Sequence, residues 1–402
     1  MKKVLLSFAL GLLTISAAAQ EVTVQVKNNT KQQRQELVEI DAQTVYNKLG
    51  VAAGRNFKVI NAVRQEVSYQ ITYDGKILID ASVRPQGTAT YTIVKGKPRD
   101  VKVFVCGRQY PERVDDIAWE NDRGAYRLYG PALQRNNERA FGNDVWVKNT
   151  PDLEVEKRYK VELDNHPAIE KLKKQGKMEE AQAMEEATTY HFDHGYGLDC
   201  YKVGPSLGCG APALMNGDEI IFPYCYKDYQ ILDNGPLRFT VSLTYHPTSY
   251  QGQQLTEHRV LSLDKGSNFN KMTVWYDGFT SPVELATGVA VHQEDRNSVV
   301  LARDFVHYAD PTDNVPVNNC QLFVATLFPN GITETTIKQF KKVVDGAVGH
   351  ALGILDDYAG NPYTYYFGSA WSKFDVRTQA EWQQRIDWTM RNLRQPLKVV
   401  VK

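Results

Sequence analysis

From Glu21 to Lys27 the chain alternates Glu-Val-Thr-Val-Gln-Val-Lys, apolar at every second place. A period of two puts those valines on one face of a half-buried strand. Short β-branched runs follow at residues 57–63, 67–73, 76–79, 88–94 and 101–106, punctuated by Asp-Gly, Gly or Pro. Tyr73-Asp74-Gly75-Lys76 is a hairpin signal, because Asp-Gly readily takes the φ > 0 positions of a tight β-turn. These spacings predict an antiparallel β unit over residues 20–106. Longer strand patterns resume at 219–222, 226–231, 237–245, 254–263, 270–276, 283–291, 298–305 and 319–328, as in a large sandwich.

Two segments change the period. Residues 167–188 are rich in Lys, Glu, Gln, Ala and Met, with Ile169, Leu172, Met178 and Met184 as their few apolar anchors. Gly176 divides them into two helices, and their polarity predicts a surface excursion rather than a core layer. Residues 380–393 carry Trp382, Ile386, Met390 and Leu393 on one side, an amphipathic helix, and residues 397–401 form a last strand. The expected fold is all-β, mainly an antiparallel β-sandwich, with a helical insertion and a C-terminal helix. Its expected parts are the N-terminal unit 20–106 and a large sandwich domain 107–402 that contains the insertion.

Residues 1–19 form a different signal. Lys2 and Lys3 precede an apolar run over 4–16, and Ala17-Ala18-Ala19 supplies small residues at the cleavage positions. The run is shorter than the roughly 20 residues of a membrane helix. Cleavage near Ala19 leaves Gln20 first, not the Cys of a lipoprotein. The expectation is an exported protein without a membrane span, placed in the periplasm, with secretion as the other destination.

Charge and cysteine narrow the chemistry. The 402 residues hold 47 Lys and Arg against 47 Asp and Glu, so a polyanion has no basic footprint to bind and nucleic acid is not an expected partner. The five cysteines, Cys106, Cys200, Cys209, Cys225 and Cys320, form no C-x-x-C pair, which argues against zinc ribbons and redox motifs. They read as small buried apolar residues, although export would permit a Cys200–Cys209 bridge.

Three stretches interrupt the alternation with Gly, His, Asp, Tyr and Lys: residues 117–131, 190–210 and 349–373. Such density suits loops held close to a ligand. His191, Asp193, His194 and Asp199 are of metal-ligand type, but they match no zinc or calcium motif, and acid–base work suits the histidines better. Glu120 and Asp122, two apart, offer a carboxylate pair of the kind glycosidases use. Arg123 or Arg127 offers a planar fork for a carboxylate. Trp371 offers a face for a sugar. No nucleophile elbow, Walker loop or dinucleotide fingerprint is present.

Trp119-Glu-Asn-Asp-Arg123, His194-Gly-Tyr-Gly-Leu-Asp199-x-Tyr-Lys-Val-Gly-Pro205, Gly266-Ser-Asn268 and Trp371-Ser-Lys373 together resemble a family of exported bacterial proteins known as a domain of unknown function. Its members lie among polysaccharide-utilisation proteins, and some are similar to dehydratases that act on ulvan-type uronic acid ends. The resemblance covers most of the mature chain; the insertion at 167–188 departs from it. It implies a sandwich in the style of polysaccharide lyases and a carbon–oxygen lyase acting on acidic oligosaccharides. Elimination of water at a terminal uronate needs its carboxylate neutralised, for which Asn121, Arg123 and Lys202 are the candidates. It needs a base at C5, His194 or Tyr201, and an acid at the leaving hydroxyl, His191 or the other of that pair. Trp371 and Lys373 complete the substrate-binding candidates. The scheme calls for no metal and no cofactor. A glycoside hydrolase using paired carboxylates and a non-catalytic glycan-binding protein remain the alternatives.

Overall fold

A computed structural model describes residues 20–292, 298–312 and 319–402. The proposed signal segment 1–19 lies outside the described residues. The all-β antiparallel reading holds. Among the described residues the largest sheet has nine strands and faces a five-stranded sheet. Between them lies the main core, with Phe239, Leu261, Met272, Val324 and Phe367 from one sheet and Leu214, Leu285, Val289 and Ala351 from the other. Helix Gln379–Arg394 covers the back of the larger sheet, where Trp382, Ile386 and Met390 pack on Phe269, Phe323 and Leu327. Where this helix covers it the large sheet is buried on both faces, and strands Phe305–Asp310 and Leu322–Leu327 lose the alternation that would reveal them.

The N-terminal unit is a smaller sandwich of a five-stranded and a three-stranded sheet with the helix Ala42–Leu49. The hairpin at Gly75 is present, with φ +74° and Thr72 N–H closing on the Lys76 carbonyl. Residues 101–105, read as a strand, are not one; the strand is Cys106–Tyr110. Strand Arg34–Asp41 and the helix that follows it lie outside the patterns read from sequence, although Ala42, Val45, Tyr46 and Leu49 keep helical spacing and all four are buried.

The first and third interrupted stretches are strands rather than loops. Asp116–Glu120, Ala125–Leu128 and Asn143–Trp146 are buried at every position, as a sheet packed on both faces requires, and Tyr363–Trp371 is a central strand of the large sheet. The helical insertion begins earlier than its composition indicates. It comprises Val155–Lys174, which runs through Pro167, and Met178–Thr188, divided at Gly176. Gly176 has φ +75°, a conformation that suits glycine. The outer part is exposed at Met178, but the inner part is core: Val155 and Tyr159 pack on Tyr110, Trp146 and Tyr190. Among the described residues no disulfide joins any of the five cysteines, Cys200 and Cys209 included. No helix among the described residues is long and apolar enough to cross a membrane.

Candidate active site

Strand Ala125–Leu128 sets the site. Its alternation sends Tyr126 and Leu128 into the main core and leaves Arg127 on the opposite face. Antiparallel pairing sets Asp144 directly across from Arg127, and their side chains meet at 2.5 Å. Asp199 arrives from the second interrupted stretch, bridging to Trp146, and lies 2.9 Å from the same guanidinium. Gly197 permits this close approach: a Cβ there would stand 2.0 Å from the Val147 carbonyl oxygen.

Arg127 is buried beside Trp146, 5.3 Å from its ring centre. A lone cation there would be costly, and the two carboxylates offset its desolvation. Burial works against the charged guanidinium, yet Asp144, Tyr129 and Asp199 hold it well above its ordinary value. Burial also pushes the Asp144 carboxyl up, against the pull of Arg127. Asp116, buried near Arg127 and Arg113, is raised by the same desolvation to about 6.

Tyr190 stacks on Trp146 with ring centres 4.4 Å apart. Its oxygen accepts from Arg127 Nη1 at 3.3 Å and from Arg113 Nη2. Burial lifts the phenol to about 12 despite both arginines, so it keeps its proton at neutral pH. Because both of these bonds are accepted, that proton is left to donate. His191 follows in sequence, with Nδ1 3.3 Å from the Asp199 carbonyl oxygen and 3.7 Å from its carboxylate. The side chain is 55% exposed above an aspartate that is 5% exposed. A carbonyl only accepts, so in the neutral ring Nδ1 holds the proton and Nε2 keeps its lone pair.

Two adjoining cavities of about 350 and 500 Å³ share Arg127, Tyr129, His191, Gly204 and Asp345 in their walls and form one cleft. Lys202 lines the first; Arg113, Asp116 and Arg139 line the second. Donors, acceptors and fixed positive charge thus meet around an open volume, an arrangement suited to proton transfer on a polar substrate.

Of the residues singled out from sequence, Arg127, His191, Asp199, Tyr201 and Lys202 stand at this cleft. The Tyr201 hydroxyl is committed elsewhere: it donates to the Gly208 carbonyl at 2.9 Å, and burial holds it far above the usual phenol range. His194 turns Nε2 to the Thr189 carbonyl at 2.9 Å and lies outside the cleft walls. Asn121 is fully buried and closes a turn, donating to the Asp264 and Ser267 carbonyls. Arg123 pairs with Asp375 at 2.7 Å on a separate groove beside the C-terminal helix. Trp371 is buried, and its indole N–H donates to the Asn319 carbonyl, so its ring is no sugar platform. Lys373 pairs with Asp193 at 3.2 Å, and Asp193 also caps the backbone of Gly195 and Gly197. The four residues of metal-ligand type are therefore dispersed, and only His191 and Asp199 stand together. Among the described residues no group of three or more His, Cys, Asp or Glu is placed to hold a metal ion. Glu120 is no glycosidase carboxylate either: it is buried against Lys148 at 2.5 Å. Arg113, Asp116, Arg139 and Asp144 carry no local sequence signal, because only strand pairing and loop return bring them to Arg127.

The chain belongs to the family described as domain of unknown function DUF4861, whose profile matches residues 26–399. Uncharacterized protein P7 of Formosa agariphila is 26% identical over 339 residues, which are 81% of this chain and 78% of that protein. Among solved structures, the chain overlaps an alpha-mannosidase from Enterococcus faecalis V583 at 9% identity and a TM-score of 0.46, over 96% of this chain and 46% of that one. It overlaps a glycosyl hydrolase family 38 protein from Enterococcus faecalis at 8% identity and a TM-score of 0.48, over 96% and 48%. The chain spans about half the length of these two proteins.

Proposed function

We propose that this DUF4861 member is an exported carbohydrate-active enzyme that eliminates water from the terminal uronate of acidic oligosaccharides in the Arg127–His191 cleft. One observation carries the reading. An accessible imidazole, oriented by Asp199, stands beside a phenol that keeps its proton while accepting from two guanidinium groups. In the elimination, His191 Nε2 takes the C5 proton, and the electrons of that C–H bond become the C4–C5 double bond. The C4–O bond breaks, and its oxygen takes the Tyr190 proton to leave as water. The C5 proton is acidic enough only if the adjacent carboxylate is neutralised, a task assigned to the cleft-wall cations Lys202 and Arg113, the latter also paired with Glu162 at 3.3 Å. Arg127, already paired with two aspartates, fixes Tyr190 and Asp199 instead of the substrate.

Hydrolysis has one observation in its favour. Asp116 holds a proton up to about pH 6 in the same cleft, as a general acid at a glycosidic oxygen must. The two reactions separate in one assay, in which the protein meets a panel of uronic oligosaccharides under ultraviolet absorbance and mass spectrometry. Elimination yields the unsaturated-uronate chromophore with loss of one water and no chain cleavage; fragments that gain water and no chromophore would move the assignment to Asp116. His191→Ala is expected to abolish the chromophore and leave thermal unfolding nearly unaltered, because its side chain is more than half exposed. Retained turnover in that variant would remove His191 from the mechanism.

A further inference from the structure

We propose that the cavity walled by Phe141, Phe222, Phe340 and His350 is a distal sugar subsite, which holds a unit of the oligosaccharide beyond the one in the cleft. The inference rests on the proposed carbohydrate substrate and adds a preference for chain length.

Position is the first argument. The cavity measures about 500 Å³, and Arg139 stands in its wall and in the wall of the cleft. The two spaces share that one side chain as a wall, so a ligand longer than one sugar that leaves the cleft past Arg139 would meet the second. The lining is the second argument. Phe141 and Phe222 stack with centres 5.1 Å apart, and Phe340 stands edge-on to His350 at 4.9 Å. All three phenylalanines are only half-buried. Half-buried rings around an open volume offer apolar area to the C–H face of a pyranose.

His350 supplies the third argument. It is fully buried, and the Leu207 N–H donates to its Nε2 at 2.9 Å. Burial, with His292 nearby, keeps the ring neutral down to about pH 3. A neutral imidazole that accepts at Nε2 carries its proton on Nδ1, and this buried Nδ1 has no partner. A buried donor without an acceptor is destabilising in the empty protein. His350 stands in the cavity wall behind Phe340, and a sugar hydroxyl or carboxylate oxygen is the acceptor that a ligand brings when that half-buried ring shifts to uncover Nδ1. At the rim, Arg139 makes no ion pair among the described residues, so its charge is available to an acidic sugar, whereas Lys338 is held by Asp218 at 2.5 Å.

Binding of uronic disaccharides and tetrasaccharides to the His191→Ala protein, by calorimetry, tests the subsite. The tetrasaccharide is expected to bind roughly tenfold tighter, the gain of one added stacking and hydrogen-bonding contact. With ¹⁵N-labelled histidine, the His350 Nδ1–H signal is expected to move with the tetrasaccharide and to stay in place with the disaccharide. Phe340→Ala is expected to erase the gain with length. Should that variant fail to fold, the length comparison and the His350 signal, both obtained without it, decide the matter. Equal affinity for the two lengths, or an unmoved His350 signal with the tetrasaccharide bound, overturns the subsite. These readouts are independent of turnover. A length gain without any dehydration would leave the subsite standing and sink the elimination; dehydration with no length gain would do the reverse.

Discussion

His292 is held by two acceptors at once. Its Nδ1 lies 2.5 Å from the Asp310 carboxylate and its Nε2 2.6 Å from the Lys202 carbonyl oxygen. Neither partner can donate, so both ring nitrogens carry protons and the imidazole is a cation, edge-on to Tyr201 behind the cleft wall. Burial pulls the ring toward neutrality, but the Asp310 charge, its hydrogen bond and the carbonyl outweigh this and raise the pKa above the ordinary 6.5. With the folded value above the unfolded one, the stabilisation is complete below 6.5 and is lost as pH rises through the raised folded value. Thermal unfolding over that range is expected to show stability falling toward alkaline pH, and His292→Gln to remove that part of the slope. An equal slope in the variant would count against the ion pair. Residue types in the site were legible from sequence, but side-chain directions were not. His191 and His194 sit in one stretch, yet one faces the cleft and the other caps a backbone carbonyl. His292, at the end of an apolar strand, drew no notice because nothing local marks the aspartate that charges it.

Helix Val155–Lys174 has no side-chain cap of its own. Its first amides are satisfied from a strand: Glu120 accepts from the Glu154 and Val155 N–H groups at 2.7 Å each, where the helix dipole also favours a carboxylate. The same carboxylate meets Lys148 Nζ at 2.5 Å, and both residues are almost fully buried. Removing one charge strands the other, so Glu120→Ala is expected to cost about 3–5 kcal/mol in denaturant unfolding. Adding Lys148→Met is expected to recover much of that loss; no recovery would mean that the helix start, not the stranded ammonium, dominates. This element shows where pattern reading misleads. Glu120 and Asp122 have the spacing of a catalytic pair, but one is buried under a helix and the other accepts from Gly266 N–H at an exposed turn. Pro167 marks a helix start by its usual preference for the first turn, yet the helix has already run from Val155. The charged residues before it hide Val155 and Tyr159, the two side chains that anchor it.

At the scale of the molecule, the last strand completes the first sheet. Lys398–Val401 pairs with Val22–Lys27, with Val24 opposite Val401, and Leu397 joins the N-terminal core. Alternation marks the first strand and a β-branched run the last, but no local pattern says that residues nearly the whole chain apart lie side by side. Between the two sandwiches the ties are polar and sheltered. Arg34, 1% exposed, donates to the Gln395 carbonyl at 2.6 Å. Gln70 accepts from the Leu237 and Arg238 N–H groups, and Asp233 accepts from Tyr73 N–H. Separating the units would leave these groups without partners, while the helix that covers the large sheet leads directly into the shared strand. We therefore expect the two sandwiches to unfold as one. Deletion of residues 396–402 removes the edge strand, Leu397 and the Lys402 carbonyl that accepts from Thr23 N–H. It is expected to lower a single thermal transition and to weaken hydrogen-exchange protection at Thr23 and at Leu198, whose amide bonds Val147 beside the cleft. A second transition, or full protection retained at Leu198, would show that the cleft-bearing sandwich stands without the sheet that the chain end closes.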